Sequence, residues 1–125
     1  MSTSQRQKAL KRGATAEWLA AGFLMLKGWR LIARRVGGKG GEIDLVMRRG
    51  QLIAFIEVKS RSAQHTALMS VTPTKIRLIG KTARMWQARN PWAAGLSFRG
   101  DIVAMGGWRW PLHVAGAFEI GEFHP

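Results

Sequence analysis

Asp44, Glu57 and Lys59 are the residues of this chain whose types and spacing can do chemistry together. They stand in two adjoining stretches, Glu42 to Arg48 and Leu52 to Ser60, that read as strands joined by a turn at Arg49-Gly50. Two neighbouring carboxylates repel unless a cation or a proton lies between them. Mg²⁺ prefers hard oxygen ligands and often takes only one or two carboxylates, with water and substrate phosphate completing its shell. A bound metal lowers the pKa of a water and stabilises charge on a phosphodiester. A lysine beside it can orient or deprotonate the attacking water, or neutralise developing charge. The competing reading is a same-strand surface pair, Glu57 and Lys59, with Asp44 at a strand end, because Glu-x-Lys by itself is a common pattern.

Strand parity decides whether the three can meet, since side chains alternate faces. With the turn centred between Arg49 and Gly50, Asp44 lies opposite Phe55 and Glu57 is its diagonal neighbour on the same face. A register shifted by two residues makes Asp44 and Glu57 directly opposite, and Lys59 shares their face in both cases. A one-residue slip would separate them. It would also scramble an apolar face of Ile43, Leu45, Met47, Leu52, Ala54, Ile56 and Val58.

The elements that must position this hairpin follow from the flanking sequence. Gln5 to Leu26 suits a helix, with Gly28 as its stop. Trp29 to Val36 reads as a strand, and Gly37 to Gly41 as a flexible connector or turn. That run is no P-loop, because no Gly-Lys-Ser/Thr follows it. Residues 61 to 71 read as a polar loop. Thr72 caps a second helix that has Pro73 in its first turn and runs to Arg89. Ile76, Ile79, Ala83 and Trp86 form its apolar stripe, with Arg77, Lys81 and Arg84 opposite. Phe98 to Met105 and Leu112 to Phe118 are two further strands. The expectation is one α/β domain over residues 1–125, a mixed sheet flanked by helices, with loose ends at 1–4 and 119–125.

Charge points to partners. Lys and Arg total 20 against 7 Asp and Glu, a formal net charge of +13, which suits polyanions: nucleic acid or an anionic membrane surface. No apolar run reaches the ~18 residues of a membrane span, and no secretory signal is apparent. With no cysteine, thiolate zinc sites and disulfides are excluded, and a reducing cytoplasm is the expected location.

The segments Gly41-Glu42-Ile43-Asp44-Leu45-Val46 and Phe55-Ile56-Glu57-Val58-Lys59-Ser60-Arg61 resemble the signature of the YraN family of small bacterial proteins. That family is assigned by similarity to the PD-(D/E)XK nuclease superfamily, near the archaeal Holliday-junction resolvases. The resemblance spans about Gly13 to Phe118. It implies a restriction-endonuclease-like α-β-β-β-α-β core with a metal site at one end of the sheet. It further implies that Asp44 and Glu57 hold Mg²⁺ or Mn²⁺, that Lys59 is the motif lysine, and that Glu17 is the first-helix glutamate. Without it, Glu17 reads as a solvated helix residue. The family's later Arg-Phe-Asp is Arg99-Gly100-Asp101 here. A strand glycine marks weakness or a bulge, which leaves the aim of Arg99 and Asp101 open and favours a structural Asp101.

Three functions follow. The first is a Mg²⁺- or Mn²⁺-dependent endodeoxyribonuclease acting on DNA, branched or structured DNA included. Asp44, Glu57, Lys59 and Glu17 would form its centre, and Arg61, Lys75, Arg77, Lys81 and Arg84 would hold the nucleic-acid backbone. Arg61 stands two residues past Lys59, on the same face if the strand continues, and Lys75 reads equally as a snorkelling surface lysine. The second is a non-catalytic nucleic-acid-binding protein of the same fold, for which positive charge alone suffices. The third is a basic assembly partner. Trp108 and Trp110, flanking Arg109, can stack on unpaired bases or simply cap a sheet edge. His65, His113 and His124 have no ligand spacing. Junction resolvases act as dimers, but no dimer surface is legible and the oligomeric state stays open.

Overall fold

A computed structural model describes residues 3–38, 40–61, 71–106 and 110–121, with side chains from residue 13 onward, Arg61 excepted. Helix α1 (Thr3–Leu26) starts two residues ahead of the expected Gln5, so Thr3 and Ser4 are helical. It ends as the sequence asks. Gly28 takes φ +93°, its N–H bonds the Met25 carbonyl at 3.0 Å, and the Trp29 N–H bonds the Leu24 carbonyl at 3.1 Å. That pair of bonds is a Schellman cap, and Leu24 and Trp29 pack together beneath it. Helix α2 (Pro73–Arg89) is capped by Thr72, whose Oγ1 accepts from the Lys75 N–H at 3.2 Å. Its stripe is as expected: Ile79, Ala83 and Trp86 are buried and Ile76 packs against them.

Five strands form one sheet in chain order: β1 (Arg30–Val36), β2 (Ile43–Arg49), β3 (Leu52–Arg61), β4 (Ser97–Gly106) and β5 (Leu112–Phe118). Neighbours are antiparallel except β3 and β4, which run parallel, with α2 as the crossover between them. The sheet is therefore mixed.

Both faces are covered. Ala20, Ala21 and Leu24 of α1 pack on Leu45, Met47, Ala54, Ile56 and Val103. Ile79, Ala83 and Trp86 of α2 pack on Val46, Ile53, Phe55 and Ile102. This corrects the expectation of one apolar face. The alternate residues Val46, Ile53 and Phe55 are equally buried, as in sheets with helices on both sides, and Ile43 joins the α2 cluster rather than its expected companions. A one-residue slip would thus exchange one apolar face for another. Register is held instead by the turn, which also differs from expectation. Arg49 pairs with Leu52, leaving Gly50-Gln51 as the loop with Gly50 at φ +62°, a glycine-first two-residue hairpin. This is the alternative shifted by two residues.

Two other segments depart from the sequence reading. The glycine connector packs closely: a Cβ on Gly41 would lie 2.9 Å from both the Leu78 carbonyl oxygen and Thr82 Oγ1 of α2. The chain after β5 is tied down as far as it is described. Ile120 packs on the α2 cluster and the Gly121 carbonyl accepts from Gln87 Nε2 at 3.0 Å.

Candidate metal centre

The glycine connector fixes where β2 begins. Only a bare backbone fits against Leu78 and Thr82, so Gly41 is pinned there and Glu42, Ile43 and Asp44 follow in fixed order. The hairpin register then sets Asp44 one step beyond the Leu45–Ile56 pair, across from Glu57. Asp44 Oδ2 accepts the Val58 N–H at 2.7 Å, which locks its carboxylate to β3. Two residues on from Glu57, Lys59 Nζ lies 3.2 Å from Glu57 Oε1. Glu57 is buried, and its second oxygen, Oε2, has no hydrogen-bond partner among the described residues. A polar oxygen left buried and unpaired is costly.

Glu17 comes from α1. Its neighbours Ala16, Ala20 and Ala21 are buried, the last two against the sheet, and Glu17 is buried with them. One oxygen of each of Glu17, Glu42 and Asp44 lies within 4.8 Å of the others. Glu17 is also gripped from β1: Oε1 accepts from Arg35 Nε at 2.9 Å and from Arg34 Nη2 at 3.2 Å. Arg35 does this from φ +52°, a left-handed conformation uncommon for a non-glycine residue, and its guanidinium is held above its usual pKa, first by that hydrogen bond and then by the Glu17 charge. Arg34 lies 4.0 Å over the Trp18 ring.

Acidic groups crowd one another here. Burial first, and the Glu57 charge second, push the Asp44 carboxyl up to about 7. The Val58 N–H and Lys59 pull it back only in part, and Glu17 adds to the rise. Such a group takes a proton or a cation.

The structure brings together Asp44, Glu57, Lys59 and Glu17. It adds Glu42, Arg34 and Arg35, which sequence reasoning missed. Glu42 had a usable signal, since it stands two residues before Asp44 with the same strand parity. The arginines had none, because their convergence depends on the left-handed turn of Arg35. Lys75, Arg77, Lys81 and Arg84 are carried by α2, on the opposite face of the sheet from α1 and Glu17. Among the described residues none of them shares a hydrogen bond or ion pair with these carboxylates. Arg84 reaches toward Gly121 at the other end of the chain. The Arg61 side chain, Trp108, Arg109, His65 and His124 lie outside the described residues, and Trp110 is exposed.

Asp101 belongs to a second polar cluster. It is fully buried on β4, and Arg99 grips it with both prongs, Nε to Oδ1 at 2.7 Å and Nη2 to Oδ2 at 2.8 Å. His113 Nε2 lies 2.7 Å from Oδ2, and the Gly116 N–H donates to Oδ1 at 3.0 Å. Gly100 makes this possible. A Cβ there would overlap the Phe118 ring and come within 2.7 Å of its carbonyl oxygen. Phe118 thus fills the space over residue 100, and the β4–β5 register shifts just beyond, between Gly100 and Ile102. The expected irregularity at Gly100 is real, and it leaves Arg99 and Asp101 aimed at each other.

Among the described residues, no helix is long and apolar enough to cross a membrane. The chain is 47% identical to a UPF0102 protein of Methylobacterium nodulans over 116 residues, covering 93% of this chain and 90% of the relative. A UPF0102 protein of Mesorhizobium japonicum is also 47% identical over 116 residues, with 93% of each chain covered. One from Rhizobium meliloti is 46% identical over 115 residues, covering 92% of this chain and 94% of the relative. The profile described as uncharacterised protein family UPF0102 matches residues 16–105, a span that holds Glu17, Glu42, Asp44, Glu57 and Lys59. The chain belongs to that family, the YraN family whose motif its hairpin resembles.

Proposed function

We propose that this protein is a Mg²⁺- or Mn²⁺-dependent endonuclease that hydrolyses phosphodiester bonds in DNA. The observation that carries the reading is the carboxylate set: three oxygens from Glu17, Glu42 and Asp44 within 4.8 Å of one another, with the buried Oε2 of the adjoining Glu57 left without a hydrogen-bond partner among the described residues. The donors fit the ion, being hard carboxylate oxygens and more numerous than the one or two carboxylates Mg²⁺ commonly takes. The order α1-β1-β2-β3-α2-β4 supports the nuclease-superfamily resemblance, because it matches the α-β-β-β-α-β core that the resemblance implies.

When bound, the metal would supply an activated water and charge stabilisation at the phosphate. The residues do the rest. Asp44 is held by Val58, and Glu57 by Lys59, so their carboxylates are positioned before any ligand arrives. Lys59 offsets charge on the phosphate oxygens and orients the attacking water. That water gives up one proton to solvent as its oxygen joins phosphorus, the bond from phosphorus to the leaving sugar oxygen breaks, and the leaving oxygen takes up a proton from solvent, so that one water is consumed and protons balance.

A second reading has its own observation. Arg34 and Arg35 already neutralise Glu17, as suits a nucleic-acid-binding protein that does not load metal. The two readings separate in one assay. The pure protein is incubated with Mg²⁺ or Mn²⁺ and linear, flapped or four-way-junction DNA, beside Asp44→Ala and Lys59→Ala. The nuclease reading expects cleavage that both substitutions abolish. Cleavage surviving both would mark a contaminant, and metal-independent binding without cleavage would favour the second reading.

A further inference from the structure

The sheet end that carries the carboxylates has a groove on its other side, between the glycine connector and α2. Its volume is about 230 Å³. Apolar Val36, Leu78, Met85 and Trp86 line it together with the backbone of the connector, and Lys81 and Arg89 stand at it. Met85 is 47% exposed, a large apolar side chain open to solvent in an otherwise basic region of α2. Both cations are exposed, and neither has an ion pair among the described residues.

We propose that this groove holds one unpaired nucleotide of a nucleic-acid strand next to the phosphate at the carboxylates, a role that rests on the nuclease reading above. Three observations choose the occupant. The groove is smaller than the ~300 Å³ at which small-molecule pockets begin, so it suits a single planar ring and not a whole cofactor. Its chemistry is two-part: apolar surface for a base, cations for the flanking phosphates. Its place suits a strand that passes round the sheet end: Gly41 lines the groove on the α2 face, and Asp44 follows three residues later, a backbone span of about 10 Å.

The geometry also divides the basic face of α2. Lys81 lies at the groove, whereas Arg84 reaches toward Gly121. The connector glycines gain a purpose as well. Gly41 and Gly37 must be small to lie on Thr82, and their bare backbone leaves the groove open. A base within a duplex is stacked and paired and cannot enter, so the preferred substrate has unpaired nucleotides near the cut.

The test is binding to labelled oligonucleotides in chelator, followed by fluorescence anisotropy, so that cleavage and metal play no part. Three ligands of equal length are compared: single-stranded dT, the same backbone without bases, and blunt duplex. Lys81→Glu/Arg89→Glu, both exposed, is expected to weaken dT binding about tenfold, and Arg77→Glu/Arg84→Glu, the same change in charge, only about twofold. The base-free strand is expected to bind at least about fivefold more weakly than dT. Equal losses from the two double variants, or equal binding of dT and the base-free strand, would overturn the groove. Neither result bears on metal binding by the carboxylates. Conversely, loss of cleavage in Asp44→Asn with dT binding unchanged would leave the groove standing.

Discussion

Asp44 and Asp101 are two strand aspartates that the fold treats in opposite ways. For each, burial is the largest influence and pushes the carboxyl upward. At Asp101 the hydrogen bonds of Arg99, His113 and Gly116 outweigh it and hold the group down at about 2. At Asp44 the nearest charge is another carboxylate, Glu57, and the group rises to about 7. The difference teaches how to tell a structural acid from a poised one. Asp101 has donors on both oxygens, and nothing is left for a ligand. Asp44 sits among acids with one backbone donor, and the second oxygen of Glu57 beside it has no hydrogen-bond partner among the described residues. Like charges meet at one end of the sheet, and opposite charges are matched on β4 and β5.

Breaking the satisfied cluster should have the largest effect. Asp101→Asn leaves the Arg99 guanidinium in a half-buried site without its counter-charge, and is expected to cost about 2–3 kcal/mol in urea unfolding at pH 7. The sign with pH follows from the lowered pKa. The stability Asp101 contributes is present above its unfolded value near 4 and is lost as pH falls through about 2. Unfolding midpoints of the parent and of Asp101→Asn should therefore converge toward pH 2.

Gly100→Ala probes the packing that frames the same cluster. The new methyl meets the Phe118 ring and its carbonyl oxygen, and the backbone oxygen cannot swing aside. A loss of about 1–3 kcal/mol is expected, read by the same unfolding curves. An unchanged midpoint would mean that β5 shifts freely.

Asp44→Asn should act in the other direction. A raised carboxyl favours the folded state below its unfolded value near 4, and that advantage is lost as pH rises through about 7. Removing the charge should then stabilise the metal-free protein by roughly 1–2 kcal/mol at pH 8 and have little effect near pH 4. Destabilisation at pH 8 would place Asp44 with Asp101, as a structural acid.

Much of this was legible in the sequence, and the misses have physical causes. The Gly28 stop, the Thr72-Pro73 start and the strand Leu112–Phe118 were readable because each depends on local backbone chemistry. Register was readable only to within two residues, since both Arg49-Gly50 and Gly50-Gln51 are acceptable turns and parity cannot tell them apart. Glu17 was not readable from periodicity. Helix α1 exposes Trp18, Leu19, Met25 and Leu26 while burying Ala20, Ala21 and Leu24, so its apolar residues mark no single inward face. Its inward aim came from the resemblance alone. Glu42 reads as an ordinary strand residue, and the Arg34–Arg35 grip depends on a backbone conformation no local pattern announces.

The central claim is that the carboxylates at the end of β2 and β3, with Glu17, form a divalent-cation site. Calorimetric titration with Mn²⁺ tests it most directly, on the parent, Asp44→Asn and Glu57→Gln, at pH 6 and pH 8. One ion per chain is expected for the parent, held more tightly at pH 8, with proton release at pH 6 as Asp44 ionises. Both substitutions should abolish it. No binding by the parent, or binding that both variants retain, would contradict the claim.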